Sequence, residues 1–485
     1  MIEKRNTQSF KRELTVGVLK IVVAVLFIFV STVCIASSTS GDGKDLKQKG
    51  NPIDPTSIPD RPNLLIEWGE GLFEIGEFRE PLQLPTGAVW SPALWVFGGY
   101  HVAHHYQSNG RLGDGNDNHV ITNRLDLFAN LRLSGTERIL IGFRPTDDVY
   151  SNPPQFTHYD FSPGSGKDKL NTEFNADINT LFFEGDFGEL FPTLDHADSR
   201  ALDIGFSVGR QQISIQDGIL LNDNIDTIGL IQNTILTRST NNISVTALFA
   251  WNQINRGART ILDDSARLYG IFSDLETFNH SIEFDLIYMD DTSDLIEGLF
   301  AGLSSTQRIR SLNSTFRAVG SYQTKDDALP GSVESGSIDT GALFTSELSI
   351  TPHGGHDLVY FNAFYGLDKY TPAARGNGVG GAIANMGILF AGVGIGPYVS
   401  PLDNNPQDTY GFALGYQLLF AHGRRQLIFE YGFKQNEDIN DNQAIGARLQ
   451  QALGQHYIIQ LDAYYSKVEN LDDGLGTRAA LRVKF

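Results

Sequence analysis

Arg478-Ala479-Ala480-Leu481-Arg482-Val483-Lys484-Phe485 closes the chain, and its pattern decides how the rest is read. Successive side chains of a strand point to opposite faces, so Ala479, Leu481, Val483 and Phe485 share one side and Arg478, Arg482 and Lys484 the other. The same period of two recurs upstream. Leu125, Leu127, Ala129, Leu131 and Leu133 alternate with Arg124, Asp126, Phe128, Asn130 and Arg132. Ile282, Phe284, Leu286 and Tyr288 alternate with Glu283 and Asp285. Tyr457, Ile459, Leu461, Ala463 and Tyr465 oppose His456, Gln460 and Asp462. An apolar, aromatic-rich face backed by a charged one suits a membrane barrel, with lipid outside and water within. A soluble sandwich would bury its apolar faces in a dry core and join its strands by more uniform connections.

Strands are expected at about 92–104, 119–133, 138–146, 174–185, 200–210, 226–238, 242–255, 265–275 and 279–290. Further strands follow at about 298–309, 314–325, 340–351, 356–368, 409–421, 425–436, 442–453, 456–468 and 477–485. Eighteen is an even number, as bacterial single-chain barrels require, and short links alternate with long ones. Short links such as 134–136, 239–241 and 423–424 read as periplasmic turns. Long ones at 147–173, 211–225, 291–297, 326–339, 369–408 and 469–476 read as extracellular loops. The fold class is therefore all-β: a transmembrane antiparallel β-barrel of about 18 strands. Two details sit badly. The link 186–199 is long for its side, and Arg210 falls on the lipid-facing parity, which suggests a bulge or a misplaced strand boundary there.

Upstream of the barrel, Lys4, Arg5, Lys11, Arg12 and Lys20 precede the apolar run 21–30 and then Ser31 and Thr32, the layout of a secretory signal. Residues 1–36 are read as a signal peptide cut near Ala36. The alternative, a retained anchor, needs about 20 apolar residues, more than this run supplies. Cleavage would remove Cys34, the single cysteine, and shift the net charge from −20 to −23, since five cations and two anions leave with it. Disulfides and cysteine-ligated metals are then excluded. Residues 37–91 read as a periplasmic leader and flexible N-terminal segment, and 92–485 as the outer-membrane barrel. So acidic a chain lacks the basic footprint of a nucleic-acid binder.

Parity assigns the basic residues Arg124, Arg132, Arg144, Arg267, Arg317, Lys434, Arg448, Arg478, Arg482 and Lys484 to the lumen. It also sends Asp126, Glu283, Asp285, Glu347, Glu430 and Asp462 there. The basic excess predicts a lumen that concentrates anions, because low-dielectric walls focus the field of such side chains. Acid collects in loops instead, in pairs such as Asp114 with Asp117, Asp263 with Asp264, Asp326 with Asp327 and Asp472 with Asp473. In the loop 369–408, the stretch 380–401 is apolar and Gly-rich, which suits folding inward to constrict the pore.

The segments 182–192 (FFEGDFGELFP) and 203–230 resemble outer-membrane porins, and more loosely the alginate-export type of 18-stranded channel. Gly209-Arg210-Gln211 and Asp217-Gly218 carry the looser likeness. Residues 478–485, ending on Phe485, resemble the assembly signal of outer-membrane proteins. These resemblances imply lipid, lipopolysaccharide and the barrel-assembly machinery as surroundings, and a small anionic solute or acidic polysaccharide as cargo. The other class to weigh is a non-transporting barrel: an adhesin, receptor or scaffold acting through its loops.

Catalytic and cofactor patterns fail on their own chemistry. In 163–169 (PGSGKDK) the first Gly of a phosphate loop is missing and Asp168 follows Lys167. Asp114, Asn116 and Asn118 have calcium-loop spacing, but His119 stands for the turn Gly and Leu125 for the closing Glu. His101, His104 and His105 are candidate ligands for a transition metal, though adjacent strand-end histidines suit solvent equally well. No Gly-x-Ser-x-Gly elbow occurs. Neither catalytic residue, cofactor nor metal is expected, and the chain is read as a non-enzyme.

Overall fold

The computed structural model describes residues 61–69, 81–108, 117–148, 155–162, 169–194, 202–237, 240–256, 261–263, 265–291, 296–326, 338–352, 355–376, 378–392, 395–396, 399–421, 423–436, 441–469 and 473–485. The signal, the leader up to residue 60, most of the phosphate-loop-like stretch, and Asp114, Asn116, Asp264, Asp327 and Asp472 lie outside the described residues.

Eighteen strands make the wall. They are β1 (Ala93–Ser108), β2 (Asn118–Arg132), β3 (Arg138–Phe143), β4 (Ile178–Asp186), β5 (Ile204–Ile215), β6 (Leu221–Gln232), β7 (Asn242–Asn252), β8 (Ala266–Glu276) and β9 (His280–Asp291). The chain continues through β10 (Ile296–Ile309), β11 (Leu312–Asp326), β12 (Gly341–Ile350), β13 (Leu358–Asp368), β14 (Thr409–Phe420), β15 (Arg425–Asn436), β16 (Asn442–Leu453), β17 (Tyr457–Val468) and β18 (Gly474–Lys484). Each pairs antiparallel with its successor, and β18 pairs with β1 from Leu475↔Ser108 to Lys484↔Gly99, closing the sheet. Closure leaves no open edge in hydrocarbon, where an unpaired peptide group would cost several kcal/mol. Among the described residues no helix is long and apolar enough to cross a membrane, so strands do the crossing.

Phe485 seals the seam, with Gly98 N–H donating to its carbonyl (2.7 Å) and its own N–H donating back to Gly98 (3.1 Å). Beyond that point β1 still runs on towards Ala93, and Ile66–Trp68 takes the vacated edge by pairing with Leu94–Val96. The segment expected to be a flexible leader thus adds a short strand to the wall. The backbone groups of β1 past Phe485 need partners, and these residues supply them.

Outward side chains form a lipid-facing belt that includes Ile271, Phe284, Leu303, Phe316, Tyr365, Phe429, Ile445 and Leu481, all exposed. The long 186–199 link contains a helical turn, α1 (Phe187–Leu190). Asp186 caps it by accepting from the backbone of Gly188 (2.8 Å).

The lumen is not empty. β5 pairs with β4 only as far as Arg210, and β6 pairs with β7 only from Asp226 onward, while β5 and β6 stay paired to Ile215↔Leu221. The tip 211–225, read above as an outer loop, is therefore a hairpin that leaves the wall on both edges at one level. Its far end lands across the lumen, where Gln216 Nε2 donates to Asp285 Oδ2 (2.6 Å) and Asp217 pairs with Arg317. Gly209 stands at the bend with φ +127, and a Cβ there would run into the Leu181 carbonyl. Arg210 does lie on the outward parity, and a register shift between Asp226 and Thr227, where β6 meets β7, stands directly opposite it. Arg210 is satisfied by Asp226 (2.8 Å). Gly209→Val should destabilise the hairpin bend by about 1–3 kcal/mol, and the heat needed to shift the folded band on a denaturing gel should fall accordingly.

The loop between β13 and β14 fills the space beside the hairpin. Ala374–Arg375 pairs parallel with Leu221–Asn222, and Tyr370 OH donates to Ile219 O (3.0 Å). Ile383, Met386, Leu389, Phe390 and Leu402 are buried against inward side chains of the wall, Leu268, Phe272, Ile287, Met289, Phe300 and Phe364 among them. A dry core thus sits inside the barrel. Small inward residues make room for it: a Cβ on Gly432 would meet Leu402 at 2.6 Å.

Candidate functional site

The lumen charges follow from which strands face the plug and which face water. β8 packs on it, so its inward residues are Ala266, Leu268 and Phe272, all buried, while Tyr269 and Ile271 face lipid. Arg267 is consequently on the outward parity, contrary to the sequence assignment. Its guanidinium donates to the carbonyls of Trp251 (2.9 Å) and Ala266 (2.9 Å) at the outer rim. The assignment failed because both faces of β8 are apolar, and period two alone does not say which apolar face meets lipid.

Two other sequence candidates hold the plug. Glu430 accepts from the backbone N–H groups of Ile388 (2.9 Å) and Leu389 (2.8 Å) and from the Tyr360 hydroxyl. Lys434, fully buried, donates to Asp403 Oδ2 (2.6 Å) and to the Asn405 carbonyl. Arg317 is buried between Glu347 and Asp217. These three anchor loops to wall and do not face the solute path.

The remaining basic candidates, with Asp126 and Asp462, gather on the wall from β16 to β4. Asp126 is shared by Arg124 (3.0 Å) and Arg144 (2.8 Å), and Asp462 is shared by Arg448 (2.8 Å) and Arg478 (2.6 Å). Between these groups, Arg482, His101 and Arg124 occupy one register row across β18, β1 and β2. Arg482 is exposed to the lumen, and no described residue bonds to it; Arg124, Arg478 and Asp126 are its charged neighbours. Arg132 lies 5.5 Å over the Trp95 ring. A pocket of about 620 Å³ lies along β2 to β4, lined by Arg124, Asp126, Arg138, Arg144 and Gln211 and closed on the plug side by Gly376, Gly378 and Val379. Just beyond β3, burial lifts the Asp147 carboxyl to about 6, against the pull of Arg144 and Arg124.

Across the lumen, Glu283 and Asp285 point inward as expected, together with Asp274, and line a pocket of about 420 Å³ with Gln216 and Asp217. The charge is therefore divided, basic on one wall and acidic on the other. Gly209, Gln211, Asp217 and Gly218 build the inward hairpin: Gln211 donates to Thr227 (2.9 Å), and the Gly218 carbonyl accepts from Arg375. Sequence reasoning missed Arg138, which shares the parity of Arg144 and pairs with Glu184 (2.5 Å). It also missed Arg375, a buried loop arginine that donates to backbone carbonyls and that no periodicity could mark. His101 and His105 point into the lumen and His104 outward, so the three cannot share one ion.

A closed 18-stranded wall with an apolar exterior and a charged, partly filled lumen defines a transmembrane β-barrel, the fold that outer-membrane porins also have. Acinetobacter baumannii OccAB2 shares this fold at 11% identity and a TM-score of 0.50, over 80% of this chain and 98% of that one. Acinetobacter baumannii OccAB3 (9% identity, TM-score 0.49) spans 80% of this chain and 99% of its own. The structure of Pseudomonas aeruginosa OpdK with vanillate (9%, 0.49) spans 80% and 98%. The structures named here are Occ and Opd proteins, and none is of the alginate-export type named above. No family model and no curated protein matches the sequence.

Proposed function

We propose that the protein is a passive outer-membrane channel for small anionic solutes, which pass along the arginine wall of β16 to β4. The observation that supports this reading is the imbalance of that wall. Each of Asp126 and Asp462 is held by two arginines, and Arg482 stands between the two groups with no carboxylate bonded to it among the described residues. A carboxylate-bearing solute entering there meets donors that keep net positive charge after their internal pairing. The plug narrows the path to that wall, so the solute must run beside the arginines. An acidic polysaccharide is carried forward no further, because the stretch that suggested it is the hairpin that obstructs the lumen. Lipid and lipopolysaccharide surround the apolar belt, and the barrel-assembly machinery receives the terminal strand ending in Phe485.

In planar bilayers, purified protein should give discrete open steps, and in a potassium chloride gradient the reversal potential should fall on the anion side. A silent barrel would favour an adhesin, receptor or scaffold, and a cation-side potential would remove the arginine argument.

A further inference from the structure

Of the three histidines near the outer end of β1, His104 faces outward and finds a new partner one strand away. Tyr106 is directly opposite His119 in register, which places His104 on the diagonal to His119. Their Nε2 atoms lie 2.8 Å apart, with ring centroids at 5.0 Å and planes at 84°. His119 is held on either side by Tyr106 (5.9 Å) and Phe161 (5.1 Å), and its backbone N–H donates to Ser162 Oγ (2.9 Å). Both imidazoles are half-buried at the extracellular end of the wall, on the face away from the solute path.

We propose that His104 and His119 form a binding site for a divalent transition-metal ion on the outer surface of the barrel. A neutral imidazole is a good ligand for such ions, and this pair already brings two ring nitrogens together on adjacent, hydrogen-bonded strands. Two nitrogens 2.8 Å apart, each about 2.1 Å from one ion, subtend an angle of roughly 85°. That is close to the cis angle of square-planar or octahedral coordination. A tetrahedral ion would hold the same nitrogens about 3.4 Å apart. The spacing therefore selects Cu(II) or Ni(II) ahead of Zn(II), with water completing the shell. Among the described residues no cluster of three or more histidine, cysteine or carboxylate ligands occurs, so the described ligands are the two imidazoles, a bidentate pair.

The test uses the full protein in detergent, without a polyhistidine tag, titrated with Cu(II) and followed by calorimetry and electron paramagnetic resonance. One ion per chain should bind, with hyperfine structure from two nitrogens. His104→Ala and His119→Ala should each weaken binding by about tenfold or more, while His280→Ala on the far end of the wall leaves it unchanged. His119→Gln keeps a polar group opposite His104 and should also lose the ion, which separates ligation from a simple imidazole hydrogen bond. Heat-shifted gel migration verifies that each variant is folded. Failure of the wild type to bind, wild-type affinity in either alanine variant, or tighter binding of Zn(II) than of Cu(II) would overturn the proposal.

Discussion

Deleting residues 380–396 should raise single-channel conductance by about twofold or more, because an 18-stranded wall without its plug encloses an open aqueous channel. The segment removed contains Ile383, Met386, Leu389 and Phe390, all buried within the barrel. Its removal exposes the inward faces of Ala413, Gly432 and Ala444 to water. Those positions are small, so the vacated volume stays vacant. The wall ladders from β13 to β16 do not pass through the loop, so the barrel should still assemble and keep its heat-shifted migration. The cost falls on Glu430, which loses two backbone donors and becomes hydrated. Unchanged conductance in a folded deletion variant would mean that flow is limited elsewhere, at the hairpin tip of residues 216–220.

The wall was legible in the sequence wherever its two faces differ in chemistry. Around β15 to β18, leucine and aromatics alternate with arginine and aspartate, and the expected limits 425–436 and 442–453 coincide with the observed strands. Legibility failed where the lumen is dry. The inward residues of β8 are as apolar as the outward ones, since they meet the plug, and that is why Arg267 was turned the wrong way. The apolar stretch 380–401 is recognisable as unsuited to water, and the structure buries its Ile383, Met386, Leu389 and Phe390 inside the barrel. The hairpin 211–225 reads as an outer loop from sequence, and its alternation, Ile213 and Ile215 against Gln212 and Ser214, looks the same in the wall or away from it. Only the end of pairing at Arg210 and Asp226 distinguishes the two. Long-range anchors such as Gln107 to Val399 (2.8 Å) join residues nearly three hundred positions apart and leave no local trace.

Replacing Arg482 and Arg124 together with alanine should abolish most of the anion preference while leaving conductance nearly intact. Arg482 projects into the lumen without a described partner, so its removal deletes a charge and strands no buried carboxylate. Arg124 shares Asp126 with Arg144, and Arg144 alone can still hold that carboxylate. For a solute about 5 Å away in a wet lumen, one unit charge is worth about 0.8 kcal/mol, or about fourfold in local anion concentration. Two such charges act on the same path, so their losses combine to about an order of magnitude at low salt, and screening shrinks the difference as ionic strength rises. Arg132→Ala offers the contrast. It too faces the lumen, but it rests over the Trp95 ring, so its removal takes away packing along with charge. The decisive measurement is the reversal potential of wild type and variants across a salt gradient at several ionic strengths. A double variant as anion-selective as the wild type would show that the divided charge of the lumen is electrically silent, with the acidic wall of Asp274, Glu283 and Asp285 cancelling the basic one.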